Sequence, residues 1–144
     1  MKISTKGRYA LRLMLELALS DQDRPVRIRE IAEKQNISDK YLEQIISVLN
    51  KAGFVRSIRG PQGGYLLTRK TVEYTVGDIL RLTEGSLAPV DCVDGSLFEC
   101  PKVETCATNI LWKRMNDAIN GVVDTVTLED LKNWQIARNG DYSI

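Results

Sequence analysis

Histidine is absent from this 144-residue chain, and cysteine occurs only three times. Without an imidazole there is no Ser-His-Asp or Cys-His catalysis, no all-histidine zinc site and no histidine pH switch. Any chemistry must rest on carboxylates, lysines or the three thiols. An odd number of cysteines does not build a complete internal disulfide framework, which leaves buried thiols, redox thiols or metal ligands. Long apolar runs are missing too: nothing approaches the roughly 20 residues a bilayer requires. The opening residues contain no apolar stretch ending at a small-residue cleavage site. A cytoplasmic protein with no membrane partner is therefore expected. The length suits one compact domain, or a small domain with an appended element, and is too short for a multidomain enzyme.

Net charge is also nearly absent, with 20 basic against 19 acidic side chains, but the total hides a division. Residues 1–70 carry 14 Lys and Arg against 7 Asp and Glu, whereas residues 71–144 carry 6 against 12. A basic half suits phosphate neutralisation, and an acidic half favours solubility.

Helical periodicity opens the chain. From Thr5 to Leu19, apolar residues fill most of the circumference, and Arg8, Arg12 and Glu16 form the one polar stripe. A helix this apolar needs burial on two sides, which points to a partner subunit as well as its own core. A short amphipathic helix follows over 27–35, then the turn Asn36-Ile37-Ser38. Ser38 is a good N-cap and Asp39 a favourable first-turn acid for a helix that runs to Ala52 and stops at Gly53. Leu42, Ile45, Ile46 and Leu49 make its apolar stripe, and Lys40, Glu43, Gln44, Ser47 and Lys51 its polar one.

Two short strands, 54–59 and 65–69, flank the turn Gly60-Pro61-Gln62-Gly63-Gly64 and read as a β-hairpin. Thr75 caps a helix over 76–84. Periodicity then disappears from Gly85 to about Thr105, a length of connection that is usually functional or disordered. A long helix over about 106–125 shows Leu111, Met115, Ala118 and Val122 as a coiled-coil-like seam, and a final helix starts at Thr127 with Asp130 as its capping partner.

The expected fold is thus mainly α with a small β-hairpin wing: a winged helix-turn-helix plus a long dimerisation helix. The expected organisation is a DNA-binding domain over 1–84, a cysteine-bearing sensor loop over 85–105, a dimerisation helix and C-terminal helix over 106–134, and a tail over 135–144.

Two short helices joined by a three-residue turn and followed by a hairpin constitute a DNA-reading module. In the major groove, Glu43 would face cytosine amino groups and Gln44 adenine, with Ser38 and Lys40 on phosphates and Ser47 on the same face. Arg59 would enter or flank the adjacent minor groove, and Gly63 and Gly64 would let the wing backbone approach the sugar-phosphate chain. Dimerisation would match two half-sites of a palindromic operator.

The thiols are spaced Cys92-x7-Cys100-x5-Cys106. Clustered thiolates suit a soft metal centre, with an iron–sulfur cluster as the leading reading. Structural zinc wants four nitrogen or sulfur ligands where three are offered. Redox thiols stay open, since two cysteines could close a disulfide and leave one over. No base accompanies the cysteines in the pattern that nucleophilic catalysis needs, so an enzyme is not expected.

The stretch 1–18, the run Ser38-Asp39-Lys40-Tyr41-Leu42-Glu43-Gln44-Ile45 and the wing Ser57-Ile58-Arg59-Gly60-Pro61-Gln62-Gly63-Gly64-Tyr65-Leu66-Leu67 closely resemble the Rrf-two family of bacterial transcription regulators. The resemblance reaches to about Trp134. It implies a dimeric winged-helix repressor or activator in which Glu43 and Arg59 take part in operator recognition. In family members of the IscR and NsrR types, three cysteines of this loop hold an iron–sulfur cluster, 2Fe–2S or 4Fe–4S, which assigns Cys92, Cys100 and Cys106 as metal ligands here. This chain departs in having seven rather than five residues between the first two cysteines. Asn109 stands where the IscR-like pattern has a histidine ligand, and Arg8 where some members supply a carboxylate from the partner subunit. The fourth ligand is then open among Asp91, Glu99, Glu104, Asn109 and an external thiol. The CymR type offers the alternative, a regulator of cysteine and sulfur metabolism acting with a cysteine synthase partner through thiol redox instead of a cluster.

Overall fold

The structure, a computed structural model, describes residues 2–95 and 100–140. Helix α1 (Thr5–Leu19) is capped by Ser4, whose Oγ accepts the Gly7 N–H at 3.1 Å. Ala10, Leu13, Met14, Leu17 and Ala18 are buried on it, and α1 is packed by elements from both ends of the chain. The two-sided burial expected of α1 is therefore supplied largely by its own chain. Glu16 departs from the expected polar stripe as well: it is buried, taking the Gln35 amide at 2.6 Å and the Lys34 ammonium at 3.4 Å. A buried carboxylate needs such partners, and these two tie α1 to the end of the next helix.

Helix α2 (Ile28–Gln35) ends at Asn36, which is left-handed at φ 55°. Asparagine tolerates that conformation better than most residues, and the turn feeds α3 (Asp39–Lys51), capped by Ser38 through Tyr41 N–H at 3.1 Å. Leu42, Ile45, Ile46 and Leu49 of α3 are all buried, each contributing about 1.5–3 kcal/mol by removal from water.

Strands β1 (Val55–Ile58) and β2 (Gly64–Leu67) pair antiparallel, from Val55 with Leu67 to Ile58 with Gly64. Val26, just ahead of α2, adds a rudimentary third strand by exchanging hydrogen bonds of 3.0 and 2.8 Å with Tyr65. The hairpin is thereby fixed to the helix-turn-helix near its turn.

After a 3₁₀ turn (Thr71–Glu73), helix α4 (Val76–Glu84) opens with a reciprocal Thr75–Asp78 capping box. The connection to α5 (Ala107–Val123) includes a second 3₁₀ turn, Asp91–Val93, so the segment without periodicity is partly built. Helix α6 (Leu128–Gly140) opens with Thr127 and Asp130 bonded reciprocally, as their spacing predicts, and extends past the expected end at Trp134. It returns to the N-terminal core: Leu128 is fully buried there, and Leu128 N–H donates to the Tyr74 carbonyl at 2.9 Å. No described helix is long and apolar enough to cross a membrane.

Candidate nucleic-acid interface and thiol site

Burial of the α3 apolar stripe leaves Lys40, Glu43, Gln44, Ser47 and Lys51 exposed on the opposite face. Ser38 is exposed too, with its oxygen already engaged as the cap. A groove of about 410 Å³ separates this face from the wing and is lined by Arg27, Ile28, Glu43, Ser57, Ile58 and Gly63 among others. Glu43 of the helix and the wing backbone thus share one cleft, with Arg59 exposed at the start of the turn.

The wing glycines have work within the hairpin. Gly63 is buried, and a Cβ there would lie 2.1 Å from the Ile58 carbonyl; one on Gly64 would lie 2.6 Å from the Val26 carbonyl. Both close approaches are internal, so the need for glycine arises before any sugar-phosphate contact. Two residues outside the sequence expectation complete the wing. Arg27 donates to the Pro61 carbonyl in its turn. Tyr74, fully buried, donates to the Phe54 carbonyl at 2.7 Å and accepts from Thr68 and Arg69 N–H at 3.0 and 3.1 Å. A lone tyrosine between two helices carries no periodic signal, which is why the pattern passes over it.

At the other end of the molecule, α5 turns an asparagine row inward. Asn109, 3% exposed, donates from Nδ2 to Cys92 Sγ at 3.4 Å. Asn116 donates to the Val93 carbonyl at 3.2 Å, holding the 3₁₀ turn that carries Cys92. Asn120 accepts from Arg81 of α4 at 2.9 Å, and Asp124 completes an ion pair with the same guanidinium. That pairing holds the Asp124 carboxyl below the ordinary aspartate range and raises Arg81 above its usual value. The spacing 109, 116, 120, 124 is one helix face, and the polarity of asparagine disguises it as a solvated one.

Cys106 is the N-cap of α5. Its thiol is pushed down by a hydrogen bond with the Thr108 hydroxyl, 3.1 Å away, and then by the Asn109 N–H. Asn109 thus bonds Cys92 through its side chain in the helix turn that Cys106 opens. The structure does not gather the expected three-cysteine ligand set: among the described residues, no three His, Cys, Asp or Glu side chains lie together as a metal-holding group. The candidate ligand Glu99 lies outside the described residues. Asp91 and Glu104 are exposed. As a donor set, the thiols still fit a soft metal group, because ligation uses the thiolate and the surroundings of Cys106 favour it.

An exposed polar helix face, a turn of three residues before it and a hairpin wing after it define a winged-helix DNA-binding protein of the kind that regulates transcription. The chain belongs to the Rrf2 family: the family model described as an iron-dependent transcriptional regulator matches residues 3–133. The chain is 44% identical over 134 residues to the HTH-type transcriptional regulator CymR of Bacillus subtilis, spanning 93% of this chain and 91% of that one. It is 39% identical over 135 residues to the regulator IscR of Photorhabdus laumondii, spanning 94% and 81%. Among solved structures, CymR, the global cysteine regulator of B. subtilis, superposes with a TM-score of 0.79 at 44% identity, covering 93% of this chain and 98% of that one. IscR of T. potens superposes with a TM-score of 0.73 at 40% identity, covering 91% and 85%. The relatives are named as regulators, which implies a DNA-binding role without enzymatic activity and, from the family, a dimer.

Proposed function

We propose that this chain is a homodimeric transcription regulator that senses iron–sulfur cluster status, responding to iron, redox or nitric oxide, with Cys92, Cys100 and Cys106 as the protein ligands. The observation that carries the reading is the hydrogen bond of Asn109, in the first turn of α5, to Cys92 at 3.4 Å, with Cys106 as the N-cap of that same helix. The likeness to IscR and the family's iron-dependent description support it. When bound, a 2Fe–2S or 4Fe–4S group supplies one-electron redox chemistry and lability toward oxidants. The chain's own residues do the rest. Asn116 ties the Cys92 turn to α5, and Arg81 ties α5 to α4, so a rearrangement of the thiol loop is carried toward the DNA-binding half. Anaerobic purification followed by iron and acid-labile sulfide analysis tests the assignment; a colourless protein without sulfide would sink it.

On DNA, the proposal assigns Lys40 and Ser38 to phosphates, with Ser47 on the same face, and Glu43 and Gln44 to base edges in the major groove. Arg59 enters the adjacent minor groove while Gly63 and Gly64 keep the wing closed. Glu43→Ala is expected to relax discrimination at one base pair by about 1–3 kcal/mol. Arg59→Ala is expected to weaken operator binding. Footprints and affinities on the protein's own promoter check both, and unchanged binding by the two variants would contradict the docking.

The likeness to CymR favours a second reading, a regulator of cysteine metabolism acting through thiol redox with a cysteine synthase partner. Co-purification of such an enzyme with metal-free, sulfide-free protein would select it.

A further inference from the structure

Among the described residues, the one side-chain hydrogen bond that reaches the wing turn 59–63 comes from Arg27, whose Nη2 donates to the Pro61 carbonyl. Arg27 is the N-cap residue of α2, with extended backbone and no capping bond of its own, so its side chain serves the wing and not the helix it opens. Val26, directly before it, exchanges two backbone bonds with Tyr65 of β2. Two successive residues thus grip the wing, one on a strand and one at the turn. Within the turn, Gly63 N–H donates to the Gly60 carbonyl at 2.9 Å, and a two-stranded hairpin is marginally stable by itself. Arg27 also stands between two hollows: it lines the groove shared by Glu43 and the wing, and a second one of about 420 Å³ bounded by Arg24, Glu30, Pro61 and Gln62 among others. Arg24 is paired with Glu30 at 3.0 Å, whereas among the described residues Arg27 forms no ion pair that would draw it off the Pro61 carbonyl.

We propose that Arg27 is a positioning residue for operator recognition: it holds the wing turn in place before DNA arrives, so that Arg59 is set across the groove from Glu43. The inference rests on the DNA docking proposed above and deepens it with a residue that acts through Arg59 and not on the duplex. A turn ordered in advance spares the complex the entropy loss that a loose wing would suffer on binding.

Arg27→Met keeps an apolar stem and removes the donor, and circular dichroism checks that the variant is folded. In the DNA-free full-length chain, hydrogen exchange over residues 59–64, followed by mass spectrometry, is expected to be about fivefold faster than in the parent, the value of one net hydrogen bond. Equal exchange in the two proteins would overturn the proposal. On the protein's own promoter, Arg27→Met is expected to lower affinity about fivefold while Arg59 is present, and to change neither affinity nor its salt dependence in an Arg59→Ala background. A phosphate contact made by Arg27 itself would persist in that background, and its loss would make the slope of log affinity against log salt concentration shallower by about 0.9. That result would overturn the proposal, as would equal affinity of Arg27→Met and the parent. Unchanged binding by Arg59→Ala alone would instead overturn the docking reading, and the role in recognition with it, while the exchange rates report the Arg27 tie separately.

Discussion

Cys106 shows how much of a thiol's chemistry is set by its nearest donors. The Thr108 hydroxyl and the Asn109 N–H hold its pKa below the ordinary thiol range, so at a given pH below that range more of it is thiolate. Thr108→Val removes the larger contribution. Its expected effect is an alkylation profile for Cys106 displaced to higher pH, with slower modification near neutrality and equal rates once both thiols are ionised. An unaltered profile in single-site mass-spectrometric labelling would contradict that cause. Tyr74 is the corresponding residue of the wing. Its hydroxyl satisfies two N–H groups and one carbonyl at the ends of the hairpin. Tyr74→Phe keeps the ring and leaves those groups short of a partner, so a loss of about 1–3 kcal/mol is expected in denaturant unfolding.

Between elements, the α4–α5 junction is the place where charge contributes. Arg81 reaches both Asn120 and Asp124, and the pair is partly exposed, so its net worth is below about 1 kcal/mol. The Asp124 carboxyl has its pKa lowered in the fold. Its contribution is therefore fully present above the unfolded aspartate range and is lost as pH falls through the lower folded value. Asp124→Asn is expected to cost a few tenths of a kcal/mol at neutral pH, to cost less as the solution is acidified, and to flatten the salt dependence of unfolding. Urea titrations across pH measure this; a deficit that persists in strong acid would assign it to packing. The hairpin follows a different rule. There the limits are steric, since Gly63 and Gly64 are demanded by carbonyls of the chain itself.

Across the whole molecule, the long helix presents its apolar seam outward. Leu111 and Met115 are exposed, Val122 is 60% exposed and Ile110 64%. The inner face is occupied by the asparagine row and by Ile119 and Val123, packed with Leu80 and Leu87, which leaves the seam on the outer face. A row of this kind on a winged-helix regulator is where a second copy would bring two recognition helices into register with two operator half-sites. Leu111→Glu combined with Val122→Glu is expected to give a folded monomer in analytical ultracentrifugation with operator affinity reduced at least tenfold. A dimer that survives both charges would move the interface elsewhere.

The amino-acid order by itself determined the helices, the hairpin and the polar face of α3, because caps, turn residues and apolar spacing act within a few positions of one another. The helix boundaries at Ser38 and Thr75 and the wing around Gly60–Gly64 are of this kind. The three thiols could likewise be counted and grouped from the sequence. What Cys92 meets was decided only by tertiary structure, since the Cys92–Asn109 contact joins positions seventeen apart across a connection with no periodic pattern. Tertiary packing also made α1 central, buried Glu16 and turned an asparagine row inward. Polarity marks what a side chain can bond to, and only the arrival of a distant partner, Gln35 for Glu16 or Arg81 for Asn120, determines whether that bond is made with protein or with water.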